Sequence, residues 1–331
     1  DTTTDGNLSK ILVENLDHEG NSNLELSDET ELTISDNFTV PNQKTMTVSG
    51  ENGTLALGGT VTFNNQSDFI LNSNETEVSG VFDFTSNNTL NVQQSVTFQS
   101  SSSKWGDNSI ITIANAATLD YKDNNQWETL GSLIKTGGTM SWDNGSTWTL
   151  SDNTSYSSDN PIATKTLTLN NHILTLESPD SDLTVTDNLT FDNSGEQIIT
   201  GSADLTLHGG IILDNGTLSS TGGIISLQEG GRLLGNGILD VSNSTWILGD
   251  NFTKKDGTLT TTGAGTIIEL TDNLTLTSNT LVSVKTLNLN DKTITLGSET
   301  TDLTVSDAIT LDGADEQIHT KSADLTLNGL L

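Results

Sequence analysis

The chain has 331 residues, with 44 acidic against 12 basic side chains, a formal net charge of −32 and no cysteine. That length admits one large or two ordinary domains. No apolar run reaches membrane-spanning length, the missing Cys removes disulfides and thiolate metal sites, and one Arg with eleven Lys leaves too little clustered positive charge to hold nucleic acid.

Residues 1–23 lack a regular pattern and are expected to be a cap or linker. The chain opens without Met or an apolar leader core, as expected of a mature or excised segment. From Leu24 onward, apolar–Thr–apolar triplets recur: Leu32-Thr-Ile34, Phe38-Thr-Val40, Met46-Thr-Val48, Val61-Thr-Phe63 and Val96-Thr-Phe98. This period of two predicts short strands with one buried face and Thr on the exposed pleat. Asn-Gly, Asp-Gly, Asp-Asn and Gly-Gly between triplets predict tight turns. Phe69, Leu90 and Ile111 are evenly spaced at intervals of 21, as are Leu71, Val92 and Ile113. No segment carries a helical period.

The second half repeats on two scales. Lys165–Gly209 and Lys285–Gly329 align without a gap at an offset of 120, with 26 identities in 45 positions. Domain organisation therefore reads as a solenoid over 24–331, with a 120-residue repeat at 145–264 and a partial copy at 265–331. Within the repeat, Leu167, Leu189, Ile211 and Leu233 recur at intervals of 22, beside a polar column of Asn170, Asp192, Asp214 and Asn236. Leu183 and Leu205 form a sister column, as do Leu303 and Leu325. Three short strands in each such interval cannot bury a core alone, but stacked coils pair in parallel at about 4.8 Å. The predicted fold is all-β: a right-handed parallel β-helix of roughly 15 coils, each of about 21–22 residues, about 70 Å long. Asn side chains in equivalent turns are expected to bond from coil to coil.

Short apolar–Thr–apolar strands, Asn-Gly and Asp-Asn turns and coils of about 20 residues, without Cys and with few basic residues, resemble the β-helical stalks of large bacterial surface proteins. These are autotransporter passengers and filamentous-haemagglutinin-type adhesins. The resemblance is architectural and covers roughly Leu24 to Leu331. It implies an extracellular, cell-surface rod for adhesion or filament formation. It supplies no catalytic residues, and the expectation is that the chain is not an enzyme.

Four constellations carry the remaining chemistry. Asp182 and Asp204, Asp192 and Asp214, and Asp302 and Asp324 are each 22 apart, so stacking brings like charges within about 5 Å, where they repel by about 1 kcal/mol in water. Calcium on oxygen ligands would relieve this, but no Ca-binding loop motif is present; solvated, salt-screened carboxylates are the plainer reading, and no cofactor is expected. Outward Thr pairs at Thr166 and Thr168, and at Thr184 and Thr186, suggest an ice-binding array, although the columns break at His208 and Asn188. Trp148, Trp142 and Trp246 share parity with Leu150, Met140 and Leu248 and are expected in the core. Trp105 and Trp127 are the better candidates for an exposed platform that stacks sugar rings. Catalysis finds little support. His18, His172, His208 and His319 are scattered, Arg232 stands alone, and the frequent carboxylates give only a chance pair of the kind used by polysaccharide-degrading β-helices. Sequons at Asn37, Asn188, Asn215, Asn251 and Asn273 are explained by Asn at strand starts. The expected partners are other copies or neighbouring repeats stacked end to end, the apolar Leu330-Leu331 pair offering such an end, and otherwise surface glycans. Neither nucleic acid nor membrane insertion is expected.

Overall fold

A computed structural model describes residues 9–13, 20–26, 30–99, 102–122, 126–142, 146–229, 231–248, 253–254, 258–261, 265–276 and 280–329. His18, Asn251 and Leu330-Leu331 lie outside these residues, as does the side chain of Trp142. The described residues contain no helix; parallel strands stack in a β-solenoid of about 13 turns. The chain divides into two compact units, Asp1–Lys165 and Thr166–Leu331. Fewer turns form than the roughly 15 expected, because some coils take more chain than the expected step allows; Trp105 pairs with Thr129, a step of 24.

In the first unit the solenoid starts earlier than the boundary at residue 23 anticipates. Strand Ser9–Val13 already pairs in parallel with Thr30–Ile34, and Ser22–Glu25 with residues 46–49. The expected columns form: Phe69 pairs with Leu90, and Leu90 with Ile111. One expectation fails. Two of the three strands per coil fuse into long bent strands, Thr45–Leu57, Asp68–Val78 and Ser109–Lys122. The bend is absorbed by register shifts between Gly50 and Thr54 and between Ile113 and Thr118, rather than by a break in pairing. At the next corner, Gln43, Gln66, Asn87 and Asn108 all hold φ between 54° and 60°. This left-handed conformation is accessible to Asn at modest cost. The expected amide ladder is there: Asn87 Nδ2 donates to Asn65 Oδ1 at 3.0 Å, and Gln43 Nε2 to Gln66 Oε1 at 3.0 Å.

The core of this unit is aromatic. Phe63, Phe84 and Trp105 occupy one column, with ring centroids 4.3 Å apart at each step and planes within 9°. The adjacent column runs Phe82, Ser103, Trp127. Ser103 is buried, and its hydroxyl has no hydrogen-bond partner among the described residues. A buried, unsatisfied hydroxyl is a net cost. Ser103→Ala should therefore stabilise the protein by about 1 kcal/mol, read as a higher denaturant midpoint at unchanged slope; a lower midpoint would show that the hydroxyl is engaged.

The second unit begins with three short strands per coil, as expected, and strands fuse again at Thr280–Asn288 and Thr301–Thr310. Leu189, Thr190 and Phe191 pair in parallel with Ile211, Ile212 and Leu213, and Leu183 pairs with Leu205. The expected step of 22 then shortens. Ile211 pairs with Gly231, and Leu233 sits over Leu213, a step of 20. A Cβ at position 231 would come within 2.3 Å of Ile211 Cγ2 and 2.6 Å of its carbonyl oxygen, so only glycine fits there. The 120-residue repeat reproduces its turns: Asn170 and Asn171 have φ of 52° and 66°, and Asn290 and Asp291 have 49° and 62°.

Candidate functional site

The recurring polar residues are spent on the stack itself. Asp182 Oδ1 accepts the Asp204 N–H at 2.8 Å, and Asp204 Oδ1 accepts the Ile224 N–H at 2.7 Å. Asp302 repeats this with the Asp324 N–H at 3.1 Å. Each aspartate thus satisfies a backbone donor of the next coil that would otherwise lack a partner. Asp192 accepts from Asn193 Nδ2, while Asp214 uses its backbone carbonyl to receive the Asn236 N–H. Two of the sequon asparagines act alike: Asn188 Oδ1 takes the Gly210 N–H and Asn273 Oδ1 the Thr293 N–H, at 2.7 and 2.8 Å, while Asn215 Nδ2 donates to the Asp192 carbonyl.

Among the described residues, no group of three or more His, Asp or Glu side chains is placed to hold a metal ion. Burial holds the Asp182 carboxyl above its ordinary value; the Asp204 N–H opposes this, and the charges of Asp204 and Asp180 reinforce it. A raised folded-state value means that its stabilising contribution belongs below the unfolded value and is lost as pH rises through the folded one. Asp182→Asn keeps an oxygen for the Asp204 N–H and removes the repulsion. It should raise stability at neutral pH by less than about 1 kcal/mol, a gain that fades as the pH falls through the carboxylate range. A loss of stability in the variant, with calcium stabilising the unsubstituted protein and not the variant, would instead reveal a calcium site at Asp182 and Asp204.

The exposure expected for Trp105 and Trp127 is overturned: each is only 1% exposed. Their strand neighbours Ser103 and Thr129 are polar, yet these too point inward, so the apolar partners come from adjacent coils. Trp105 lies flat against Phe84, and Trp127 lies 5.0 Å from Trp148 and 6.3 Å from Tyr156. Neither can serve as a surface platform. Trp148 and Trp246 are buried, as parity indicates. Trp148 Nε1 donates to Thr129 Oγ1 at 3.1 Å, which lies 2.9 Å from Thr154 Oγ1. The Thr column beginning at Thr184 runs through Thr206 and Ser226, then turns to Ile247 and Glu269. A flat hydroxyl array therefore ends after three coils.

One shallow groove in the first unit, of about 320 Å³, is bordered by Ser102, Gln126, Glu128, Thr149 and Ser151, and also touches Ser103 and Trp127. Ser151 Oγ donates to Glu128 Oε1 at 2.5 Å. Hydroxyls and a carboxylate on an open sheet suit a sugar hydroxyl network, without a stacking ring.

Two structured sites escaped sequence reasoning. Glu196 is 5% exposed. Its carboxylate accepts the N–H groups of Asn171, Asp192 and Asn193 at 3.3, 2.8 and 3.1 Å. Glu316, its counterpart in the repeat, takes those of Asp291 and Gly313. The signal was available in the Glu-Gln-Ile shared by both copies. The other site is Lys135, whose side chain is fully buried. Its ammonium donates to the carbonyls of Gly137 and Gly138, both at 2.6 Å, and to Asp159 Oδ1 at 2.9 Å. Burial pushes the Asp159 carboxyl up, but bonds from Lys135, the Gly137 N–H and Asn160, with the Lys135 charge, hold it below its ordinary value. All three ammonium donors are used, so the group closes a corner and offers no nucleophile. Its inward parity with Leu133 was the sequence signal.

Comparison with family models, curated proteins and solved structures finds no match. The class that the fold defines is a β-solenoid with parallel strand pairing.

Proposed function

We propose that this chain is a non-catalytic structural and adhesive segment of a large repetitive bacterial cell-surface protein, of the autotransporter-passenger or filamentous-haemagglutinin kind, working outside the cell. The observation that carries this is the fate of the recurring polar side chains: Asp182, Asp204, Asn188 and Glu196 are engaged by backbone N–H groups between coils. A repeat whose polar positions build the ladder is selected for length and rigidity. The net charge of −32 keeps such a chain soluble and discourages lateral association. Two measurements test the reading. Antibody against the chain should label intact source cells; labelling only after permeabilisation overturns the extracellular assignment. A panel of acidic and neutral polysaccharides should yield no new reducing ends; turnover overturns the non-catalytic one.

A second reading, a carbohydrate-binding module, rests on the groove at Gln126 and Glu128. It replaces the first if a glycan array gives saturable binding that Glu128→Ala abolishes.

A further inference from the structure

The groove of the first unit lies on the outward face of three neighbouring parallel strands, Ser102–Gly106, Gln126–Leu130 and Thr147–Leu150. Their register sets two outward columns: Ser102, Gln126 and Thr147 in one, and Lys104, Glu128 and Thr149 in the other. The alternate residues Ser103, Trp127 and Trp148 turn inward and are at most 2% exposed, so packed rings make a rigid floor. Ser151 follows the last strand. Its N–H donates to the Thr129 carbonyl at 2.9 Å, which seats its hydroxyl beside Glu128, where Oγ donates to Oε1 at 2.5 Å. A carboxylate accepts at both oxygens, so Glu128 is held by the protein at one and can take a ligand at the other.

The chemistry around the groove narrows the ligand. Hydroxyls and the Gln126 amide both donate and accept, and suit a partner whose groups do the same. Ionised Glu128 only accepts, and calls for donors. Sugar hydroxyls meet both demands. Uronate, sulfate and phosphate groups bring acceptors alone, and would set a second anion against Glu128. The nearby cation does not reverse this. Lys104 stands between Asp83 and Glu128 in its column, one ammonium against two carboxylates, in a chain of net charge −32. Like charges brought together on such a face discriminate against the wrong partner. At about 320 Å³ the groove is at the small end of ligand sites, the size of a short saccharide. Trp127 lies beneath the floor, so ring stacking adds nothing to the polar contacts, and the expected affinity is about millimolar.

We infer that the groove selects an uncharged, hydroxyl-rich saccharide and rejects acidic ones, with Glu128 as the residue that does both. Its carboxylate accepts from ligand hydroxyls, Gln126 bonds to the ligand in both directions, and Ser151 is the positioning residue for Glu128. This rests on the carbohydrate-binding reading above, and adds to it the charge class of the ligand and the group that sets it.

The test titrates the complete chain, by ligand-observed NMR, with neutral gluco-, manno- and galacto-oligosaccharides and with the same oligosaccharides oxidised to uronates at the primary hydroxyl. At least one neutral member should bind saturably, with an affinity that salt leaves unchanged, and its oxidised partner at least about tenfold more weakly. Glu128→Ala should abolish the binding. Glu128→Gln, which keeps an acceptor and removes the charge, should narrow the gap between neutral and oxidised partners. Ser151→Ala should weaken the neutral ligand about tenfold, and Ser151→Thr should restore it, both at an unchanged urea midpoint. Equal or tighter binding of an oxidised member overturns the inference and leaves the carbohydrate reading standing; its loss in Lys104→Ala would then locate the anion site. Neutral binding that survives Glu128→Ala also overturns it, since the sugar is then held elsewhere. Absence of saturable binding across the panel removes the carbohydrate reading itself, and the inference with it.

Discussion

Glu196→Ala should cost about 2–4 kcal/mol, because it removes a buried carboxylate that accepts three backbone N–H groups of the turn, each bond contributing about 1 kcal/mol net. The carboxylate reaches back to Asn171 on one coil and to Asp192 and Asn193 on its own, at 2.8–3.3 Å. Alanine supplies no acceptor, and the exposed residues Asn171, Asp192 and Asn193 must then turn to water. Glu316→Ala is the internal control. It removes an acceptor for two N–H groups at a half-buried site, and should cost only about 1–2 kcal/mol. Urea unfolding of both variants, followed by circular dichroism, reads the difference. Equal losses would mean that burial does not set the penalty; a loss under about 1 kcal/mol at Glu196 would mean that the turn holds without its carboxylate.

Trp105→Ala should destabilise the first unit by about 3–5 kcal/mol, the range for deleting a buried aromatic and leaving its cavity. The ring is 1% exposed and lies 4.3 Å from Phe84, which lies 4.3 Å from Phe63. Trp105→Phe retains the stack. The indole N–H it removes has no partner among the described residues, so the swap should cost less than about 1.5 kcal/mol. The pair of variants separates packing from recognition: a surface platform would lose ligand binding and keep its stability. A neutral Trp105→Ala would show that the ring is outside the core.

The reading of Trp105 and Trp127 shows where strand parity stops being informative. Trp105 shares its face with Ser103, and Trp127 with Thr129, so alternation alone puts them with polar side chains. Their neighbours in space are Phe84 and Trp148, each a full coil away along the chain. In a solenoid the lateral neighbour belongs to another coil, and a small polar residue is tolerated inward where a large ring from the next coil fills the space. The aspartate columns were located correctly by their spacing, but the role of Asp182 and Asp204 was not, because a sequence shows which carboxylates align and not which N–H they face. Lys135 is the same case: its carbonyl partners at Gly137 and Gly138 exist only once the chain turns through the φ of 79° at Gly137.

Alternation at a period of two, glycine- and asparagine-rich turns and the 120-residue repeat were enough by themselves to determine parallel coils with Leu189 over Ile211, because a two-residue period leaves one burial face and a fixed coil length leaves one partner. The tertiary structure alone decided the rest: the shortened coil that seats Gly231 on Ile211, the fusion of strands such as Asp68–Val78, and the burial of Trp105. Each depends on atoms brought together from consecutive coils, where steric fit and backbone donors select among registers that the pattern of apolar residues leaves equivalent.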